Sequence, residues 1–340
     1  MPLVQSTQNA FQLVDRTNEI LKLPQSWTLL GDSGLFRDEF LSTSTVTFEE
    51  RNGALSVIKD QIRGAKPQTR SGTVRKLHAY QTSHHPVEDS VYPQDIAGVI
   101  RPGSTNQEVD QEAAAVLRKM VEIERSYAVT KEIAQFKTLS TGNIWAPNGT
   151  IAANFYSDMN VTRNEVNFEL ATATTDVIDK CNQIVAGFQA SANEGQVVSR
   201  VVGYASTAFF SALVAHPKVV QTHIYQQIGL DNISQQRAGG MGLYRRLNFG
   251  GIEFIEVATV IAGETLVPVK DCVFVAFAND DSFVCYHSPA QRFGYVNTMA
   301  ERMYAWVYKN ERATEITIEA EMGMLNVLRR PNFVSRGYIV

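Results

Sequence analysis

Apolar and polar positions divide the chain into one long helical stripe, a set of strands and a few stretches with no period. Between Gln107 and Leu139, the residues Val109, Ala113, Val116, Met120, Ile123, Tyr127, Thr130 and Ala134 recur at alternating spacings of four and three. That spacing draws a single stripe along one α-helix. Pro102-Gly103 closes the preceding segment, Ser104 and Thr105 form overlapping capping boxes with Gln107 and Glu108, and no Gly or Pro interrupts before Gly142. A helix of that length is about 50 Å long, more than a compact domain needs. Its early acidic residues (Glu108, Asp110, Glu112, Glu122, Glu124) suit the positive end of a helix dipole.

Other segments have a period of two. Ile316, Ile318, Ala320, Met322 and Met324 alternate with Glu315, Thr317, Glu319 and Glu321, which predicts a half-buried strand. Tyr304, Trp306 and Tyr308 alternate likewise and predict core packing. Residues 43–50 predict a strand, Asn52-Gly53 a two-residue turn, and 54–60 the returning strand. Short strands are expected at 144–145 and 151–156, and helical spacing returns over 167–190 and 206–215, continuing through 219–228. Buried strands are expected at 196–202, 252–257, 271–278 and 282–287, the last two joined as a hairpin across Asn279-Asp280-Asp281. Residues 1–41, broken by Pro24, Gly31 and Gly34, read as an arm with a short helix over 11–22. The glycine cluster at 239–242 marks a loop.

Charge changes this picture in one region. Residues 61–87 contain no acid but carry Arg63, Lys66, Arg70, Arg75 and Lys76 among Gly64, Pro67 and Gly72. With so few apolar residues to bury, the stretch should project from the body as a solvated loop or one ordered against a partner chain. A basic β-ribbon entering a DNA groove is the competing reading. The 340 residues, 44% hydrophobic and 19% charged, support two domains or one body with large excursions. A net charge of −4 and a pI near 5.9 exclude a protein whose whole surface binds nucleic acid. Three cysteines (Cys181, Cys272, Cys285) lack the paired spacing of zinc or redox motifs and read as reduced core residues. No signal-peptide core precedes residue 20, and the apolar stretch 204–215 is too short to span a bilayer.

Catalytic motifs are missing from the sequence. The Gly239 cluster lacks the Lys of a phosphate-cradling loop, and no nucleophile elbow is present. His84-His85 with Glu88 and Asp89 carry metal-ligand chemistry, but adjacent side chains on an extended segment point to opposite sides, so a surface loop is expected. His216 and His223 fall near a helix end, where packing or capping is the default. Glu49-Glu50 and Asp280-Asp281 border turns without the marks of an acid/base dyad. The expectation is no enzyme, no cofactor and no metal; an enzyme assembled from distant residues is the competing class.

The order of elements resembles the major capsid proteins of tailed bacteriophages, in particular the lambda-like major capsid protein E family. The resemblance is carried by residues 45–50 with Asn52-Gly53, Arg63-Gly64, His84 to Asp95, and the helix with Glu124, Tyr127, Glu132 and Leu139 to Gly142. It continues through Gly149-Thr150, Asn154-Phe155-Tyr156, Val166-Asn167-Phe168, Phe209 to His216, Gly251 to Phe254, Ser288-Pro289-Ala290 and Arg330-Pro331. The resemblance implies an α+β Hong Kong-phage-type capsid fold. Its parts would be an N-terminal arm at 1–42, an extended β-loop at 43–99, a peripheral domain with a spine helix at 100–193, an axial domain at 194–300 and a return at 301–340. It implies a structural protein that self-assembles into pentamers and hexamers, forming an icosahedral shell around double-stranded DNA without sequence-specific binding. A cargo shell of the encapsulin kind is the alternative. The implied partners are further copies, a scaffolding protein, a portal and a decoration protein, with no membrane, in a virion assembled in the host cytoplasm. No fused scaffolding coiled coil is evident, and covalent Lys–Asn cross-linking through Lys59 or Lys66 has no specified partners. Within that frame, Arg63, Lys66, Arg70, Arg75 and Lys76 are expected to lie over a neighbour's acidic face at Glu108, Glu112 and Glu122.

Overall fold

The computed structural model describes residues 14–23, 28–52, 74–96, 107–145, 153–192, 197–225, 245–257, 260–278, 282–312 and 314–340. In chain order these form β1 (Val14–Asp15), α1 (Thr17–Leu21), α2 (Leu29–Ser33), β2 (Arg37–Phe40), β3 (Thr45–Asn52), β4 (Val74–Gln81), β5 (Ser83–Val91), α3 (Pro93–Ile96) and α4 (Gln107–Thr141). Next come α5 (Phe155–Asp158), β6 (Asn164–Asn167), α6 (Val177–Ser191), β7 (Val198–Ser206), α7 (Thr207–Ala215), α8 (Pro217–Tyr225), β8 (Arg246–Phe249) and β9 (Ile252–Val257). The chain closes with β10 (Val260–Ile261), β11 (Glu264–Thr265), β12 (Asp271–Ala278), β13 (Phe283–Ser288), β14 (Tyr304–Lys309), β15 (Ile316–Leu328), a 3-10 turn (Pro331–Phe333) and β16 (Val334–Tyr338). Two compact units result, one from Met1–Val46, Gln81–Glu132 and Cys285–Leu325, the other from Thr47–Tyr80, Ile133–Val284 and Asn326–Val340.

The first unit is built on β15. Residues 316–321 of this strand bond to β14 on one side and β5 on the other, and the sheet continues through β13 to β2 and through β14 to β1. The expected alternation holds over 318–321, where Ile318 and Ala320 are buried and Glu319 and Glu321 are not, but it fails on either side: Thr317 is buried and Ile316 is not, and residues 322–328 are all buried. Tyr304 and Trp306 of β14 stack in parallel at 5.9 Å. The early part of α4 is tied along this sheet at three points. Glu112 pairs with Lys309 at 2.9 Å, Lys119 with Asp89 at 3.2 Å, and the Tyr127 hydroxyl donates to the His85 carbonyl at 3.0 Å. Spacings of seven and eight put all three on one face, the face that buries Met120, Ile123 and Tyr127.

α4 has 35 residues and is about 52 Å long. The single-stripe expectation fails in its last third. There Ile133 to Phe136 and Thr138 to Ser140 are all buried, including the polar Gln135, Thr138 and Ser140. Off the expected stripe, Ile133, Phe136 and Leu139 pack a further apolar face, and the polar side chains lie among them; the Thr138 hydroxyl donates back to the Ala134 carbonyl at 2.8 Å. The stop at Gly142 is as expected. Its φ of 74° is left-handed, and an added Cβ would lie 2.3 Å from the Tyr156 ring. Arg163 caps the end, donating to the carbonyls of Leu139, at 3.4 Å, and Ser140.

The second unit is a six-stranded mixed sheet in the order β6-β16-β12-β7-β9-β8. β12 is antiparallel to both neighbours, while β7 runs parallel to β9, with α7 packed on both. Its core is aromatic: Phe168 lies 5.3 Å from Phe209 and 5.5 Å from Phe274, and Phe254 meets Phe274 edge-on at 5.7 Å. Ser206 caps α7 by accepting from Phe209 N–H, and Asp176 caps α6.

Several expectations change. β12 and β13 are not a hairpin, because they lie in different sheets; both strands are largely buried, and a short polar link between two buried strands does not say whether they pair. Residues 155–158 are helical rather than a strand, since the Asn154 side chain accepts from the amides of Tyr156 and Ser157. Helix α6 starts at Val177, with β6 before it. α7 and α8 are separate helices, broken at His216-Pro217. His84 to Asp89 lie in strand β5, not in a loop. The strand paired with β3 is β4; the return expected at 54–60, the glycine loop at 239–242 and Asp280-Asp281 lie outside the described residues.

Candidate assembly surfaces

β3 and β4 form a sheet of two strands. Two strands alone are marginal in water, so such a ribbon gains order from whatever covers it. Its base is pinned within the second unit. Tyr80 is buried, donates its hydroxyl to Asp158 at 2.9 Å and meets Phe155 edge-on at 5.5 Å. Three residues back, Leu77 is 75% exposed, and the Lys76 ammonium reaches the Asp158 carbonyl at 3.5 Å. Within the first unit, both the amide and the hydroxyl of Thr82, just past the end of β4, donate to the carbonyl of Ser44, just before β3, at 2.9 and 3.0 Å.

Of the residues expected at the contact, Arg63, Lys66 and Arg70 lie outside the described residues. Arg75 is in β4 and Glu108 in α4. The acids differ from a free acidic stripe. Glu112 is taken up by Lys309, and Glu124 is buried, whereas Glu122 keeps a 55% exposed side chain and pairs with Lys119 at only 3.6 Å. Of Glu112, Glu122 and Glu124, Glu122 is therefore the open one.

One polar cluster in the first unit escaped the sequence reading. The Asp38 Oδ1 accepts from Lys131 Nζ at 2.6 Å and faces His287 Nε2 at 3.2 Å, and Cys285 Sγ lies 3.8 Å from that same nitrogen. Its members come from β2, α4 and β13, so no local motif marks it. Burial pushes the His287 imidazole down, but the neighbouring Cys285 sulfur and Asp38 carboxylate outweigh it and push it up to about 9. Burial pushes the Asp38 carboxyl up, yet His287 and Lys131 hold it well below the usual carboxylate range. Three potential ligand atoms within 4.8 Å of one another invite a metal reading. The site fits one poorly: a lysine ammonium already neutralises Asp38, and His287 Nδ1 is buried without a partner that could orient it as a ligand. Nor is it a nucleophilic relay, which requires the two imidazole nitrogens to serve different partners. The arrangement is an ion cluster joining three elements, buried at His287 and Cys285 and half-buried at Asp38 and Lys131.

His216 and the three cysteines are buried. His216 Nδ1 accepts from Lys218 N–H at 3.3 Å while Nε2 contacts the Thr172 carbonyl at 3.1 Å. Cys181, Cys272 and Cys285 are free and buried. Among the described residues, no helix is long and apolar enough to cross a membrane.

The model of the family described as "Phage major capsid protein E" matches residues 13–338. The major capsid protein of Pseudomonas phage KPP10 is 31% identical over 348 residues, covering 98% of each chain. That of Salmonella phage Felix O1 is 24% identical over 362 residues, covering 98% of this chain and 97% of its own. Among solved structures, a putative capsid protein of an E. coli CFT073 prophage superposes with a TM-score of 0.57 at 10% identity, covering 97% of this chain and 100% of that one. The mature capsid subunit of bacteriophage PhiM1 gives 0.50 at 11% identity, covering 90% and 85%. These two likenesses concern the fold.

Proposed function

The chain belongs to the phage major capsid protein E family, and on that premise we propose how it works as the major head protein of a tailed-phage virion. The match over residues 13–338 carries the reading. Copies associate to form an icosahedral head shell. In our reading hexamers and pentamers are the building units, and the shell encloses double-stranded DNA. A scaffolding protein and a portal guide assembly in the host cytoplasm, with a decoration protein as a further partner. Residues 1–42 act as an arm, 43–99 as the extended loop, α4 as the spine of a peripheral domain, and 194–300 as the axial domain. The chain works by contact and not by catalysis.

Three physical features support this division of labour. A two-stranded ribbon with exposed Leu77 is what a neighbour could cover. The tethered α4 offers a stiff shelf. The acidic balance of −4 suits a wall that should not grip packed phosphates. Closed symmetric assembly multiplies modest contacts, so each can stay weak enough for errors to dissociate.

Sedimentation of the expressed protein, with negative-stain microscopy of the fastest peak, tests the reading. Rings of five or six, tubes or closed shells are expected. A species that stays a monomer or dimer, even with its scaffolding protein added, would overturn it.

A further inference from the structure

Between β13 and β14 the chain folds into a tight knuckle. The Tyr295 amide donates to the Arg292 carbonyl at 3.1 Å, and the Thr298 amide and hydroxyl both donate to the Tyr295 carbonyl, at 3.2 and 2.7 Å. Its inner side is held firmly. The Tyr295 ring packs edge-on against Tyr304 and Trp306 at 5.2 and 5.7 Å, and its hydroxyl bonds Asp15. The Arg292 guanidinium lies 4.1 Å over the Trp306 ring and pairs with Glu319. The Ala300 amide closes the turn on the Leu41 carbonyl at 2.8 Å.

The outer side is apolar. Phe293 is fully exposed at 103%, Val296 is 63% exposed and Met299 69%. Among the described residues, no other seven-residue stretch exposes three large apolar side chains. Residues 293–300 contain no charged side chain. A rigid turn that presents apolar groups to water is a docking surface whose ordering cost is already met by its own fold. The occupant follows from self-assembly, in which every subunit of a shell meets further copies. A charged patch repels its own copy, whereas an uncharged apolar patch is compatible with itself.

We propose that the Phe293–Met299 knuckle of one subunit packs against the same knuckle of a neighbouring subunit in the shell. The proposal rests on the self-assembly described above and adds the surface that meets itself.

Charge swapping tests it. Phe293→Glu and Phe293→Lys each place like charges against like and should cut shell yield at least tenfold, while mixing the two variants restores it. Thermal unfolding of the unassembled variants should match wild type, since the side chain is fully exposed. A second variant, Phe293→Cys, introduces an accessible thiol where the native cysteines are buried. A short bismaleimide should cross-link it into subunit pairs in assembled shells. Normal assembly of either charge variant, or shells of the cysteine variant that stay uncross-linked, would overturn the proposal. If a charge variant misfolds, the cysteine result decides. Failure of wild-type protein to form shells in parallel would instead sink the assembly reading itself.

Discussion

Placing His287 in the first unit's core beside a carboxylate and an ammonium ties stability to pH, and the sign follows from which state binds protons more tightly. A histidine ordinarily near 6.5 but pushed up to about 9 when folded favours the folded state fully below pH 6.5, and that contribution vanishes as pH climbs through 9. Asp38, held below its ordinary 3.8, contributes above that value and loses its contribution as pH falls further. The cluster therefore stabilises most between about pH 4 and 6.5. Asp38→Asn should cost on the order of 2 kcal/mol at pH 6, and the gap to wild type should shrink toward pH 10; urea titrations at the two pH values would show it, and a constant gap would contradict the assignment. Glu132 works in the opposite sense. Burial pushes its carboxyl up to about 7 although the Leu30 amide donates to it at 3.0 and 3.2 Å. Folding is thus most favoured below pH 4.5, and part of that is lost as pH rises to 7. Glu132→Gln should flatten the stability profile across pH 4.5 to 7, readable by thermal unfolding in parallel buffers.

At the scale of elements, the end of α4 depends on one backbone conformation. Gly142→Ala meets both a left-handed φ of 74° and the Tyr156 ring 2.3 Å from the new Cβ. The conformation costs about 1–2 kcal/mol and the overlap a similar amount. The measured loss should be about 2–4 kcal/mol, part of it recovered in Gly142→Ala combined with Tyr156→Ala. That stop was legible because glycine at the end of a helical stripe has a local cause, as were β15, β9, β12 and the Ser206-capped α7. What escaped were pairings set over long distances. No local pattern says that β12 joins β7 and β16 while β13 joins β15, or that Val74–Gln81 pairs with Thr45–Asn52. The same limit hid the Asp38–Lys131–His287 cluster, whose members are up to 249 positions apart. Of the surface residues expected at subunit contacts, charge pattern alone marked a basic loop and acidic helix face. It did not show that Glu112 is spent on Lys309, nor that the uncharged Phe293 knuckle projects.

For the whole molecule, two kinds of contact should answer differently to solvent. The charged contact expected between the basic loop of one subunit and the acidic face of another would weaken with salt, because exposed pairs are screened over about 8–10 Å at physiological ionic strength. Apolar contacts such as the knuckle strengthen in excluded salts such as sulfate. Arg70→Glu with Arg75→Glu should therefore lower shell yield. Glu122, with a half-exposed side chain and only a 3.6 Å pair to Lys119, is an acid open to a neighbour. Glu122→Arg in the same chain should then partly restore assembly of the double variant, and Glu112→Arg should not, because Lys309 holds that residue within its own subunit. Sedimentation at low and high sodium chloride would measure both effects. Normal shells from the double variant at every salt concentration would remove the loop charges from the assembly contact and leave the apolar surfaces to account for it.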